Sequence, residues 1–268
     1  LNPRGYDVFN CYERFLLLTG PRKCTKTINA VNKICRHLWE NDGAKVLILG
    51  KTLRNIKSSG VWQDLTLMPF GIPQWIRANI GFQYSSPPKM TPDTKVSYFK
   101  VTTAEGGESE CQVHSLEYDW EVEIKFKGTR YSMVYLPEGD QFKDRMVFNI
   151  LEDQLRCPHI PDSHHQIIVD CNPPEDGEDH YLYDLFFRKV HPDGRPFSSE
   201  YSEKFRVINF SLADNIWMTE QERESLREKY RYDKALFSRY ASGEKWEKFS
   251  EEGHFREFFF PNIHVKGN

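Results

Sequence analysis

Phe15-Leu16-Leu17-Leu18-Thr19-Gly20-Pro21-Arg22-Lys23-Cys24-Thr25-Lys26-Thr27 joins an apolar run to a tight polar turn and ends on a Lys-Thr pair that opens a helical pattern. It reads as buried strand, phosphate-binding loop and helix. Such a loop surrounds a pyrophosphate with backbone N–H groups and the positive end of the following helix, while the lysine reaches the terminal phosphates and the hydroxyl meets magnesium. The usual pattern is G-x-x-x-x-G-K-[ST]. The chain departs from it once, with Thr25 where the second glycine belongs. Downstream, Ile28, Val31, Cys35, Leu38 and Trp39 recur at helical spacing, Gly43 supplies a stop, and Lys45-Val46-Leu47-Ile48-Leu49-Gly50 reads as a second buried strand. The unit is β-loop-α-β. An ordinary α/β unit whose loop happens to carry Lys-Thr would look the same, so the rest of the chain has to decide.

At 268 residues the chain has room for one large α/β domain or two modest ones. With 36 basic and 39 acidic side chains, a net charge of −3, it is not a strongly basic nucleic-acid binder; any DNA contact must come from a local patch or another chain. A hydrophobic content of 39% with 14% aromatics is that of a folded protein, and the apolar runs are too short to span a bilayer, so no membrane partner is expected. Cys11, Cys24, Cys35, Cys111, Cys157 and Cys171 form neither a disulfide ladder nor a CxxC pair, which points to a reducing compartment. Cys157, His159, His164, His165 and Cys171 could be imagined around zinc, but their spacing matches no common ligand set. A first residue of Leu rather than Met points to processing or excision.

Along the chain, Ile56, Val61, Trp62, Leu65 and Leu67 suggest a helix face interrupted by Pro69, Gly71 and Pro73, and Tyr84 to Asp93 reads as an exposed connection. Val96 to Thr103 and Glu117 to Phe126 alternate polar with apolar residues, so both are expected as antiparallel edge strands, with Ala104 to Glu110 as a turn between them. Lys127 to Asp140 then holds a short apolar strand that runs into Pro137-Glu138. An acid at the carboxyl edge of a sheet is where a phosphate-loop enzyme holds magnesium and aligns its attacking water. Glu138 is placed for that role, and Asp170, at the end of the strand Gln166 to Cys171, competes for it. Phe142 to Leu155 and Tyr181 to Val190 are helical in pattern, and Phe205 to Phe210 is a last strand. Thr219 and Glu222 make a capping box before a charged helical region, and Phe255 to Val265 reads as a tether.

These pieces, in this order, resemble the ATPase domain of the large terminase subunit, the motor of tailed bacteriophages and related viruses that pumps DNA into a preformed capsid. Four stretches carry the resemblance: the arginine-bearing loop Gly20-Pro21-Arg22-Lys23-Cys24-Thr25-Lys26-Thr27; Lys127-Gly128 and the strand into Pro137-Glu138; Cys171-Asn172-Pro173-Pro174 followed by His180-Tyr181-Leu182-Tyr183; and Asp214-Asn215 with Gly243-Glu244-Lys245-Trp246. The resemblance implies a P-loop NTPase of the additional-strand, catalytic-glutamate type, with a mainly parallel central sheet flanked by helices and an antiparallel edge addition. It implies a motor domain over residues 1–246 and a tether over 247–268 toward a nuclease domain that the sequence does not contain, so the chain alone is expected not to cut DNA.

The implied cofactors are ATP and Mg²⁺. Gly20 through Thr27 (Gly20, Pro21, Arg22, Lys23, Cys24, Thr25, Lys26 and Thr27) would cradle the nucleotide, with Lys26 on phosphate and Thr27 on the metal. Arg22 would sense the terminal phosphate. Glu138 becomes the glutamate that orients the water and stands near the metal, while Asp170 and Asn172 pass to a segment coupling nucleotide state to DNA grip. Lys127, or Arg130 nearby, would complete a neighbour's site. Tyr6 and Asp7 are placed beside the base. Pro137 stands where relatives carry the aspartate of the magnesium shell, leaving Thr27, water and Asp140 to hold it. Implied partners are double-stranded viral DNA, the portal protein, the small terminase subunit and further copies in a ring, in the host cytoplasm. Two other readings remain open: a nucleotide-binding assembly module in which Thr25 and Pro137 have impaired hydrolysis, and, less well suited by its long insertion before Glu138, a small-molecule kinase.

Overall fold

Strand β1 (Phe15–Thr19) is buried at all five positions because it lies inside a sheet, hydrogen-bonded in parallel to β7 (Gln166–Cys171) on one side and β8 (Phe205–Asn209) on the other. A strand covered on both faces needs an apolar side chain at every step rather than at every second one, which is what its first four residues supply. The computed structural model describes residues 3–53, 83–89 and 97–243, together with 56, 61, 65 and 246. Outward from β7, β6 (Met133–Leu136), β2 (Lys45–Gly50) and β5 (Glu108–Ser115) follow in parallel. Beyond β5 lie β4 (Ser97–Thr102) and β3 (Gln83–Lys89), each antiparallel to its neighbour. The order is β3-β4-β5-β2-β6-β7-β1-β8. Strand β7 therefore stands between the strand that feeds the loop and the strand that ends at Glu138, the additional-strand arrangement expected from the resemblance.

The pleat divides the core into two layers. Leu16 and Leu18 of β1, Val46 and Ile48 of β2 and Tyr135 of β6 face helix α2 (Lys26–Glu40), which contributes Ala30, Val31, Ile34, Cys35 and Leu38 at helical spacing. Ile56, Val61 and Leu65, all helical and fully buried, join this layer, as the sequence suggests; Trp62, Leu67 and the residues up to 80 lie outside the described residues. Phe15, Leu17, Leu47, Leu49, Val134 and Leu136 face the opposite layer, in a cluster with Val122 and Phe126 of α3 (Glu121–Phe126) and Val147, Phe148 and Leu151 of α4 (Arg145–Asp153). Helix α1 (Pro3–Phe9) sits at the far half of α2, where Lys33 Nζ and Arg36 Nη1 donate to the Phe9 carbonyl at 3.4 and 3.1 Å.

Three expectations at the sheet edge are overturned. Glu117 to Phe126 is not a strand: Glu121–Phe126 is helical, and of the supposed apolar side only Val122 and Phe126, four apart, are buried, while Tyr118, Trp120 and Ile124 are exposed. The spacing that decides is 3.6, not 2. The antiparallel partner of β4 is Glu108–Ser115, whose Ser109, Cys111 and Val113 point inward, so the turn is confined to Thr103–Gly107, closed by Thr103 N–H to Gly107 O at 3.1 Å. Gln83–Lys89 is a strand rather than a connection; Met90 to Asp93 lie outside the described residues. The six cysteines are all buried and none is in a disulfide, no group of three His, Cys, Asp or Glu among the described residues is arranged to hold a metal, and no described helix is long and apolar enough to cross a membrane.

Candidate active site

The carboxyl edges of β1, β7 and β6 open into a cleft of about 690 Å³ lined by Arg22 to Ile28, Glu138, Asp170, Cys171, Asn172, Asn215 and Trp217. Its floor is the loop. Gly20 has φ +146°, and a Cβ there would meet the Phe210 carbonyl oxygen at 2.4 Å, so the end of β8 fixes this position as glycine. Lys23 (φ 63°) and Thr25 (φ 75°) are left-handed, and Thr25 is the N-cap of α2 without a side-chain cap. The glycine that the pattern asks for is thus replaced by a β-branched residue held in the conformation glycine would adopt. Thr25→Gly is expected to raise stability by up to about 1 kcal/mol, read from the denaturant midpoint; the Asn29 side-chain bond to the residue 25 carbonyl, 2.8 Å, survives the change.

Lys26 is buried at the helix start and its ammonium group donates to the carbonyls of Gly20 (2.9 Å) and Pro21 (2.7 Å) and to Asn172 Oδ1 (3.2 Å), with Cys24 Sγ at 3.3 Å. Cys24, buried beneath the loop, donates to the Pro21 carbonyl at 2.9 Å, and burial raises its thiol pKa, so it acts as a packing residue. Arg22 is exposed and its guanidinium lies 4.1 Å from the centre of the Tyr240 ring. That ring belongs to a π-helical turn, Ser238–Ser242, that packs on the loop: a Cβ on Gly243 would meet Pro21 Cδ at 2.3 Å, and Trp246 Nε1 donates to Thr19 Oγ1 at 3.2 Å.

Across the cleft, Asp170 is buried and accepts three bonds: from Thr27 Oγ1 and Tyr135 Oη, both 2.8 Å at Oδ2, and from the Glu138 N–H, 2.9 Å at Oδ1. One carboxylate therefore joins the Thr27 hydroxyl, the strand of Glu138 and Glu138 itself. Glu138 takes a left-handed conformation (φ 51°) that turns its side chain, bonded by Gln141 Nε2, toward solvent in the cleft. Partial burial, then the carboxylates of Asp170 and Asp140, raise its carboxyl pKa above the ordinary glutamate value. Asp140 is engaged elsewhere: Arg239 Nη2 donates to it at 3.0 Å, and burial raises its pKa against that partner.

The structure thus brings together Gly20 to Thr27, Glu138 and Asn172. It adds Asp170, Asn215 and Trp217, and it turns Asp140 toward Arg239 rather than Thr27. Lys127 lies outside this chain's cleft, exposed at the end of α3 and paired with Glu123 at 2.7 Å; Arg130 is exposed beside it. Tyr6 and Asp7, expected beside a base, sit on α1 at the far half of α2 and do not line the cleft.

A sheet covered by helices on both faces, with a phosphate loop after β1 and an acid at the end of β6, two strands away, is the fold of the P-loop NTPases. A profile of the phage terminase large subunit family matches residues 89–244, more than half of the chain, and the chain belongs to that family. The match starts beyond the loop and does not depend on it. The fold is shared with the large terminase of a thermophilic bacteriophage (TM-score 0.63, 14% identity, 90% of this chain and 53% of that one). It is shared equally with that same terminase in complex with ATP-γ-S (TM-score 0.62, 14% identity, 91% and 52%). The ATPase domain of the large terminase from a Thermus phage matches along nearly all of both chains (TM-score 0.57, 13% identity, 92% and 94%). The chain spans about half the length of the thermophilic-phage terminase, and at these identities the likeness is one of fold. No curated protein matches the chain in sequence.

Proposed function

We propose that this chain is the ATP-hydrolysing motor domain of a terminase large subunit. The observation that carries the reading is the convergence in one cleft of Lys26 at an uncapped helix start, the Thr27–Asp170 pair and Glu138. The nucleotides bound by the thermophilic-phage terminase, ATP-γ-S and ADP, support ATP as the substrate. An all-oxygen donor set of one hydroxyl and one or two carboxylates suits magnesium, which takes most of its remaining ligands from water and phosphate. Thr27 would hold the ion, with Asp170 in the role that Pro137 cannot fill. When bound, magnesium neutralises charge on the phosphates.

The residues then divide the work. Lys26 exchanges the loop carbonyls for phosphate oxygens, and Asn172, its partner at 3.2 Å, feels that exchange directly. Glu138 accepts a proton from the water whose oxygen bonds to the terminal phosphorus as the bond to ADP breaks. Arg22 reaches the phosphate only by leaving the Tyr240 ring, which ties occupancy to the C-terminal turn. Lys127, outside its own cleft, is available to a neighbouring copy, as a ring on the portal protein requires. In that ring the domain would drive double-stranded viral DNA, delivered with the small terminase subunit, into the procapsid in the host cytoplasm.

The test is magnesium-dependent ATP turnover by the purified chain and its response to Lys26→Ala, which removes charge-assisted bonds and is expected to weaken ATP binding about 10- to 100-fold. Equal binding and turnover in the variant would contradict the site. Pro137 and the strained Thr25 favour a second reading, an assembly module that binds ATP without hydrolysing it; tight binding with no turnover in the presence of DNA and portal would select it.

A further inference from the structure

The cleft has a direction. Glu138 and Asp170 stand at the ends of β6 and β7, the loop at the end of β1, and beyond it, after β8, come Asn215 and Trp217. A triphosphate with its terminal phosphate at Glu138 and its chain along the loop leaves its nucleoside on the β8 side. Tyr6 and Asp7 are not there. Trp217 is: its side chain lines that end of the cleft, is 70% exposed, and has no ring partner among the described residues. A large indole left open on the wall of a cleft is a surface awaiting an apolar, planar contact.

The backbone that presents it is tied down on several sides. Asn215 Nδ2 donates to the Lys23 carbonyl at 2.7 Å, Asn215 Oδ1 accepts the Trp217 N–H at 3.1 Å, and Arg223 Nη2 donates to the Asn215 carbonyl at 3.1 Å. The segment is capped on both sides, by Ser211 with Asp214 and by Thr219 with Glu222. The backbone that carries the indole is therefore tied to the phosphate loop itself, through the Asn215 side chain, at the end where a base must emerge. Resting on the nucleotide-binding reading above, we infer that Trp217 is the stacking platform for the nucleobase, and that Asn215 sets its distance from the phosphates. Stacking alone accepts any base face, so this platform supplies affinity and little discrimination between purines.

The experiment compares binding of magnesium with ATP, ADP and inorganic tripolyphosphate to the wild-type chain, Trp217→Ala and Trp217→Phe by calorimetric titration. Trp217→Ala is expected to weaken ATP and ADP about tenfold, within the range for a base stacked on one aromatic ring, and to leave tripolyphosphate unchanged. Trp217→Phe should recover most of the loss, and quenching of tryptophan fluorescence by ATP should be smaller in both variants than in wild type. Unchanged ATP affinity in Trp217→Ala, or an equal loss for tripolyphosphate, overturns the platform while leaving the phosphate site in place. A wild-type chain that binds none of the three overturns the nucleotide reading, and the platform with it.

Discussion

Glu138→Gln is expected to lower ATP turnover by about 10² to 10⁴-fold while ATP still binds, because the amide keeps the shape of the side chain but cannot accept the proton of the attacking water. The backbone bond from residue 138 N–H to Asp170, 2.9 Å, does not involve the side chain, so the left-handed turn and the fold should persist. The pH dependence follows with a definite sign. A base works only when deprotonated, and burial with two neighbouring carboxylates raises the Glu138 pKa, so the acid limb of the wild-type profile should lie above the range of an ordinary glutamate and be absent from the residual activity of the variant. Single-turnover hydrolysis and ATP titration on the same preparations separate chemistry from binding. Turnover unchanged in Glu138→Gln would remove this residue from the mechanism.

Asp170→Asn is the second large effect, and it addresses how the site works with Pro137 in place of an acid. The carboxylate takes two hydroxyls at one oxygen and an N–H at the other. Asparagine can keep all three contacts, its carbonyl facing Glu138 N–H and its amide donating to the hydroxyl oxygens, so the loss is mainly of charge. The magnesium requirement for ADP binding should rise and turnover fall about 10- to 100-fold, the cost typical of losing a group that orients a metal ligand. Adding Pro137→Asp should restore both, since it supplies an acid from the next strand. A variant whose magnesium titration matches wild type would return Asp170 to a structural role.

The difference between what the sequence declares and what the structure adds is one of range. The loop, β1, α2 and β2 are legible because every signal lies within a few residues: four contiguous apolar side chains, Gly20, Lys26-Thr27 and a helical stripe. Glu138 is legible because it follows its own strand directly. The Thr27–Asp170 bond joins residues 143 apart, and it exists because β1 and β7 are neighbours in a register that sets Leu18 beside Asp170. No local pattern contains that pairing. Pattern alone leaves Asp170 as a rival to Glu138, whereas the fold gives them complementary places, one holding the hydroxyl and the other open to the cleft.

The edge of the sheet misleads for the opposite reason. Tyr118, Trp120, Val122, Ile124 and Phe126 alternate cleanly, yet three of the five face solvent, so the alternation records no buried face. The true strand, Glu108–Ser115, carries Ser and Cys inward and so hides its period from an apolar count. Trp217 escapes for want of any motif: its meaning comes from Asn215 bonding back to Lys23, 192 residues away in sequence.

A crystal structure of the chain with ATP-γ-S and magnesium would show whether this cleft binds a nucleoside triphosphate for attack by water. The phosphates are expected in the loop with Lys26 turned from the Gly20 and Pro21 carbonyls onto them, magnesium beside Thr27 and Asp170, and a water between Glu138 and the terminal phosphorus. A triphosphate bound elsewhere, or bound in the loop with Glu138 turned away and no water in line, would contradict it.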